Sequence, residues 1–151
     1  MTGSDTPPAG GAQSDGAVTL TMTLPPVPEI ELVAIEGLNR LARHIGVEEV
    51  KIGDARILVA EAVINALEHA GGSGAGVTVE FALTSKELVI HVRDYGSGFD
   101  PTKVEDPTIE SRIGSARKRG WGLKLMRSLS DEFHVESGPQ GTTITIKKML
   151  T

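Results

Sequence analysis

The sequence predicts an α+β fold, a two-layer α/β sandwich whose mixed, mostly antiparallel sheet carries its helices on one face. Three observations predict it. Val18, Leu20, Met22 and Leu24 alternate with Thr19, Thr21 and Thr23, the period of a half-buried strand. Ile30, Val33, Ala34, Leu38, Leu41 and Ile45 recur at three- and four-residue steps, the period of a helix with one apolar face. Further along, strand-like segments come in pairs joined by short polar turns, the connection that antiparallel neighbours use.

Each element follows in order. Residues 1–16 are built almost wholly from Gly, Pro, Ser, Thr, Ala, Asp and Gln, with too little apolar surface to offset the entropy of ordering them. They are expected to form a disordered tail ahead of one folded domain over residues 17–151. Pro25-Pro26 ends the first strand, and Gly46 stops the helix that follows Pro28. A second helix begins between Glu48 and Asp54 and runs to about Ala70, with Ile57, Ala60, Ile64 and Leu67 on its expected buried stripe. The run Gly71-Gly72-Ser73-Gly74 terminates it. Val77 to Thr84 and Leu88 to Asp94 read as strands of a hairpin joined by Ser85-Lys86-Glu87. Little periodicity is visible over residues 100–119, a length that in a compact domain belongs to a functional or mobile loop. Trp121 to Leu129 reads as a short helix. Strands near Phe133 to Ser137 and Thr142 to Met149 then flank the turn Gly138-Pro139-Gln140-Gly141.

With 151 residues, 39% of them hydrophobic, the chain has the size and composition of a single domain with one core. It contains no cysteine, which excludes a disulfide framework and a thiolate metal site. A net charge of -5 argues against a general nucleic-acid binder, which needs a concentrated basic surface. No apolar run is long enough to span a bilayer, and Met1-Thr2-Gly3-Ser4-Asp5 lacks the order of a signal peptide, so a cytoplasmic location is expected.

The chemistry concentrates in three motifs. In Glu61-x-x-x-Asn65-x-x-Glu68-His69, residues 61, 65 and 69 form a column on one helix face beside the apolar stripe, at the border of core and cleft. A carboxylate there can take a proton from an attacking hydroxyl, and an amide oxygen one turn later can ligate Mg²⁺, a hard cation that shares its shell with substrate phosphates. Asn is a poor helix former, so its position in mid-helix asks for a reason. Asp94-Tyr95-Gly96-Ser97-Gly98-Phe99 follows a strand, placing an acceptor for an exocyclic amine at the strand end, with glycines where a backbone must come close. Arg119-Gly120-Trp121-Gly122-Leu123 opens a helix whose free N–H groups favour phosphate, and Arg112, Arg117, Lys118, Lys124 and Arg127 surround it. Taken alone, each motif has a plain structural reading: a solvated helix face, a strand-to-loop turn, a solvated charge run. His69 in particular stands where a helix C-cap or a packing histidine is common. Neither a Rossmann fingerprint nor a P-loop is present.

In order and spacing these motifs resemble the N box, G1 box and G2 box of the ATPase family shared by gyrase, the heat-shock chaperone, histidine kinases and MutL, whose fold is the Bergerat type. The likeness covers residues 18 to 150 and is nearest to the anti-sigma serine/threonine kinases of the RsbW and SpoIIAB type. That resemblance implies Glu61 as the general base toward a protein serine and Asn65 as the Mg²⁺ ligand. It implies Asp94 as the adenine acceptor, with Gly96, Gly98, Phe99 and His69 lining the nucleotide site. Residues from about Pro101 to Arg119 would form a lid over ATP, with Arg119, Gly120, Trp121, Gly122 and Leu123 at the phosphates. Thr142 or Thr143 would join the adenine network. The partners implied are an anti-sigma antagonist, phosphorylated on serine, and a sigma factor held by a homodimer, with no direct contact to nucleic acid or membrane. Glu29, Glu31 and Glu36 make the start of the first helix acidic where such a partner surface would lie. An alternative of a different class is a nucleotide-responsive module that sequesters a partner without phosphotransfer. A histidine-kinase reading would need a helical hairpin bearing a phosphoacceptor, and His44 in Leu41-Ala42-Arg43-His44-Ile45 lacks that setting.

Overall fold

A computed structural model describes residues 16–70, 75–96 and 121–151. Its elements run β1 (Val18–Leu24), α1 (Glu31–Ile45), a 3-10 turn (Glu49–Ile52), α2 (Gly53–Ala70), β2 (Val77–Leu83), β3 (Glu87–Asp94), α3 (Trp121–Leu129), β4 (Glu132–Gly138) and β5 (Gly141–Met149). Of the tail expected over residues 1–16, residues 1–15 lie outside the described residues, as does the lid expected over residues 101–119.

The strands form one sheet in the order β1-β2-β3-β5-β4, antiparallel at each described pairing. Period-two alternation gives the sheet a core face and an open face. On the core face the register lines up Leu20, Phe81, Ile90, Ile146 and Phe133 in one row and Met22, Val79, Val92, Ile144 and Val135 in the next. The open face carries Thr21, Glu80, His91, Thr145 and His134 in one such row.

Helix α1 buries Ala34, Leu38 and Ala42, one face at four-residue steps. It ends at Gly46, whose φ of 85° is the left-handed conformation that a C-terminal glycine adopts freely. Val33, expected on the apolar face, is 52% exposed instead. Helix α2 packs against α1, α3, β3 and β5 and so occupies the middle of the helical layer. Its buried face is Ala55, Leu58, Val59, Ala62, Val63 and Ala66, not the expected stripe, and Ile57 is 43% exposed. The cause is in the sequence: Ile57, Leu58, Val59 and Ala60 are consecutive, and a helix apolar nearly all round has no periodic signal to choose its inner face.

Candidate functional site

A third row on the core face departs from the apolar pattern. Continuing two residues past Val92 and Ile144 brings Asp94 opposite Thr142, and Thr142 stands opposite Ser137. Asp94 and Thr142 are each only 1% exposed. A buried carboxylate needs hydrogen bonds to offset its desolvation. Asp94 Oδ1 accepts from the backbone N–H of Gly96 at 3.0 Å and from that of Thr142 at 3.2 Å. Neither bond uses Oδ2, so among the described residues one oxygen is anchored and the other is uncommitted.

Glycines let the surrounding backbones meet. A Cβ on Gly96 would run into the carbonyl oxygen of His69 and lie 3.0 Å from Ala70 Cα, so this loop passes directly against the C-terminus of α2. A Cβ on Gly141 would strike the Asp94 carbonyl oxygen, and its φ of 131° is itself unsuited to other residues. The end of α2, the end of β3 and the start of β5 therefore converge.

The column of residues 61, 65 and 69 lies on α2, and its last member, His69, stands at this convergence. Glu61 is half-buried. Asn65 is 4% exposed, and its side-chain Nδ2 is buried with no hydrogen-bond partner among the described residues. An orphaned buried amide costs about 1–3 kcal/mol, a penalty that a bound group relieves. The His69 ring turns back on its own helix, Nδ1 donating to the Asn65 carbonyl at 2.8 Å. Helix α3 packs on α2 and buries Gly122 and Leu123 in its first turn, with Trp121 half-buried beside them.

Thr142 and Thr143 separate here. Thr142 shares the row of Asp94, whereas Thr143 lies on the open face and accepts from Arg93 Nη1 at 3.3 Å. Gly98, Phe99, Arg119 and Gly120 lie outside the described residues. Two residues are given no role by the sequence motifs. Ser137 Oγ is 2.6 Å from Thr142 Oγ1. Tyr95 turns to the open face, its hydroxyl 3.1 Å from Thr78 Oγ1 and its ring under the Arg93 guanidinium at 5.2 Å.

The donor set fits a magnesium nucleotide. Among the described residues no three His, Cys, Asp or Glu side chains cluster as a metal cage; the Asn65 amide oxygen is a hard donor of the kind that suits a Mg²⁺ sharing its shell with phosphates and water. A sheet with helices on one face and a buried acceptor at the end of its central strand defines the class, an α/β sandwich of the ATPase type.

Residues 27–148 match the model of the histidine kinase-like ATPase domain. A serine-protein kinase RsbW of Bacillus pumilus is 32% identical over 139 residues, covering 87% of this chain and 85% of the relative. One of Listeria monocytogenes is 31% identical over 142 residues, covering 87% of each. The chain belongs to the histidine kinase-like ATPase domain family and, within it, to the serine-protein kinases of the RsbW type. Two solved structures share the fold. The RsbU and RsbW domains of a Mycobacterium tuberculosis protein align with TM-score 0.64 at 22% identity, over 87% of this chain and about a third (32%) of that longer one. In the SiaB-SiaC complex of Pseudomonas aeruginosa the values are 0.56 and 12%, over 92% and 93%.

Proposed function

We propose that this chain is an ATP-dependent protein-serine/threonine kinase that acts as an anti-sigma factor in a partner switch and phosphorylates an anti-sigma antagonist on serine. The observation that carries the reading is the polar end of an apolar sheet face, where neither backbone bond to Asp94 uses Oδ2 and the following loop passes against the C-terminus of α2, the helix that carries Glu61 and Asn65. Asp94 Oδ2 accepts from the exocyclic amine of adenine. The amide oxygen of Asn65 ligates Mg²⁺, and its orphaned Nδ2 finds an acceptor on a phosphate. Backbone N–H groups at the start of α3, with Arg119 and Gly120 before them, hold the phosphates. Bound MgATP supplies the phosphoryl group. Glu61 accepts the proton of the incoming serine hydroxyl, a role worth about 10²–10⁴ in rate.

The folded domain spans residues 17–151, with residues 1–16 as a tail. A sigma factor, a homodimer and a cytoplasmic location complete the proposal, and its support is family membership. Exposed Leu32 and Val33 near Glu31 and Glu36 on α1 give a partner an apolar, acidic surface. Incubation of the chain and its cognate antagonist with MgATP tests the reading. Phosphoserine on the antagonist is the expected product. Stoichiometric capture of the antagonist with no phosphoserine would establish the module that sequesters without phosphotransfer.

A further inference from the structure

The two outer strands of the sheet are built differently. Along β4, Glu132, His134 and Glu136 stand exposed on the open face, and charge on an edge strand opposes the addition of another strand. At the opposite edge β1, with the sequence VTLTMTL, pairs with β2 and bears neither charge nor proline over its seven residues. Its Thr19, Thr21 and Thr23 are exposed on the open face, and Leu20 and Met22 pack on the core but stay half-buried where the sheet stops. An edge of that length and composition is a template for a further strand.

We propose that β1 pairs antiparallel with β1 of a second copy about a two-fold axis at Thr21, joining the two five-stranded sheets into one. The strand is its own complement in that register. Thr21 meets Thr21, Thr19 meets Thr23, Leu20 meets Met22 and Val18 meets Leu24, so hydroxyls oppose hydroxyls on the open side and apolar groups oppose apolar groups on the core side. The helices fit the same axis. Helix α1 rests over both β1 and β2, so close at Gly37 that a Cβ there would lie 2.7 Å from Met22 Cε. With strands about 4.8 Å apart, the axis runs about 2.4 Å outside β1, and a helix midway between β1 and β2 lies about 4.8 Å from it. The two α1 helices then stand about 10 Å apart, the separation at which helices pack. The inference rests on the homodimer put forward above and adds where it forms.

Sedimentation velocity of the full chain over a concentration series tests it, with Thr19→Lys/Thr23→Lys and Thr19→Lys/Thr23→Glu beside wild type. Within its own chain Thr19 lies opposite Ala82 and Thr23 opposite Thr78, so neither substitution meets a charge directly across β2. In the first variant each Lys faces a Lys across the axis, and the dimer Kd rises by about threefold to thirtyfold. In the second each Lys faces a Glu, and the Kd stays within about threefold of wild type or falls below it. The overall charge acts in the opposite direction, because two added lysines bring a net charge of -5 nearer zero. Thr21→Lys, opposite Glu80 in its own chain, repeats the test at the axis itself and also weakens the dimer. A dimer undisturbed in Thr19→Lys/Thr23→Lys and in Thr21→Lys overturns the β1 interface and leaves the homodimer standing. Equal weakening by the Lys/Lys and Lys/Glu variants overturns the register. A wild-type chain that stays monomeric across the series overturns the homodimer, and the inference with it.

Discussion

Replacing Asp94 by Asn separates the structural job of its carboxylate from the adenine-binding one proposed for it. Oδ1 accepts from Gly96 N and Thr142 N, and leaving those buried donors unsatisfied would cost about 1–3 kcal/mol each. The Asn carbonyl oxygen therefore takes the place of Oδ1, which forces its NH₂ into the place of Oδ2. Adenine's amino group then meets a donor instead of an acceptor. The lost hydrogen bond to a charged group is worth about 1.5–3 kcal/mol, and the donor pairing adds about another 1 kcal/mol of desolvation. Together these weaken MgATP binding by about 10²-fold to 10³-fold. MgITP responds in the opposite sense, since its 6-oxo group gains a donor where wild type presents a carboxylate. Isothermal titration with both nucleotides gives the two numbers, and thermal unfolding of the apo protein provides the control. Because both backbone bonds persist with a neutral acceptor, the variant should lose about 1 kcal/mol, or about 2–4 °C in midpoint. MgATP affinity within about threefold of wild type in Asp94→Asn, where the lost bond demands far more, would refute the placement of the base.

Glu61→Gln should lower phosphotransfer to the antagonist by about 10²-fold to 10⁴-fold, measured by phosphoserine formation, while MgATP affinity holds, because the amide keeps the size of the side chain and loses only its basicity. Gly96→Ala drives a Cβ into the His69 carbonyl, so the loop or the end of α2 must shift; a loss of about 1–3 kcal/mol in apo stability together with weaker nucleotide binding is expected by thermal unfolding and calorimetry. Asn65→Ala should abolish the Mg²⁺-dependent part of ATP affinity, read by titration with and without EDTA. The same substitution should leave apo stability unchanged or raised by about 0.5–1 kcal/mol, because Ala is the better helix former and the orphaned Nδ2 disappears.

What the sequence makes legible follows from where local pattern decides the outcome. β1 alternates cleanly because one sheet face is buried and the other open, and α3 is bounded as its motif implies. Asp94 and Asn65 are legible as residue types out of place: an acid ending an apolar strand and an Asn inside a helix. The inner face of α2 is not legible, because its apolar residues run nearly all round and only the neighbouring α1, α3 and sheet select Leu58 over Ile57. The choice between Thr142 and Thr143 is a question of parity, set by the pairing of Asp94 with Thr142 across β3 and β5. Ser137 is hidden for the same reason. A count back from the Pro139-Gln140 turn would have paired it with Thr142, since Gly138 and Gly141 close the hairpin opposite each other.

The site lies where the sheet stops obeying its own rule. Two rows of the core face are apolar from β1 to β4, and the period that puts Ile90 and Val92 in the core also puts Asp94 there. A sequence selected only for stability would continue with an apolar residue at that position. The polar row is tolerated because its groups satisfy one another: Ser137 with Thr142, and Thr142 and Gly96 with Asp94. Among the described residues the Asn65 side-chain Nδ2 has no hydrogen-bond partner, and it is carried by a helix whose buried face includes the small residues Ala55, Ala62, Ala66 and Ala70. A larger side chain at Ala62 or Ala66 would lift α2 from the sheet and carry Asn65 away from the row. The small residues of α2 and the polar end of the sheet thus act together: close packing of the helix sets how far Asn65 stands from the row of Asp94.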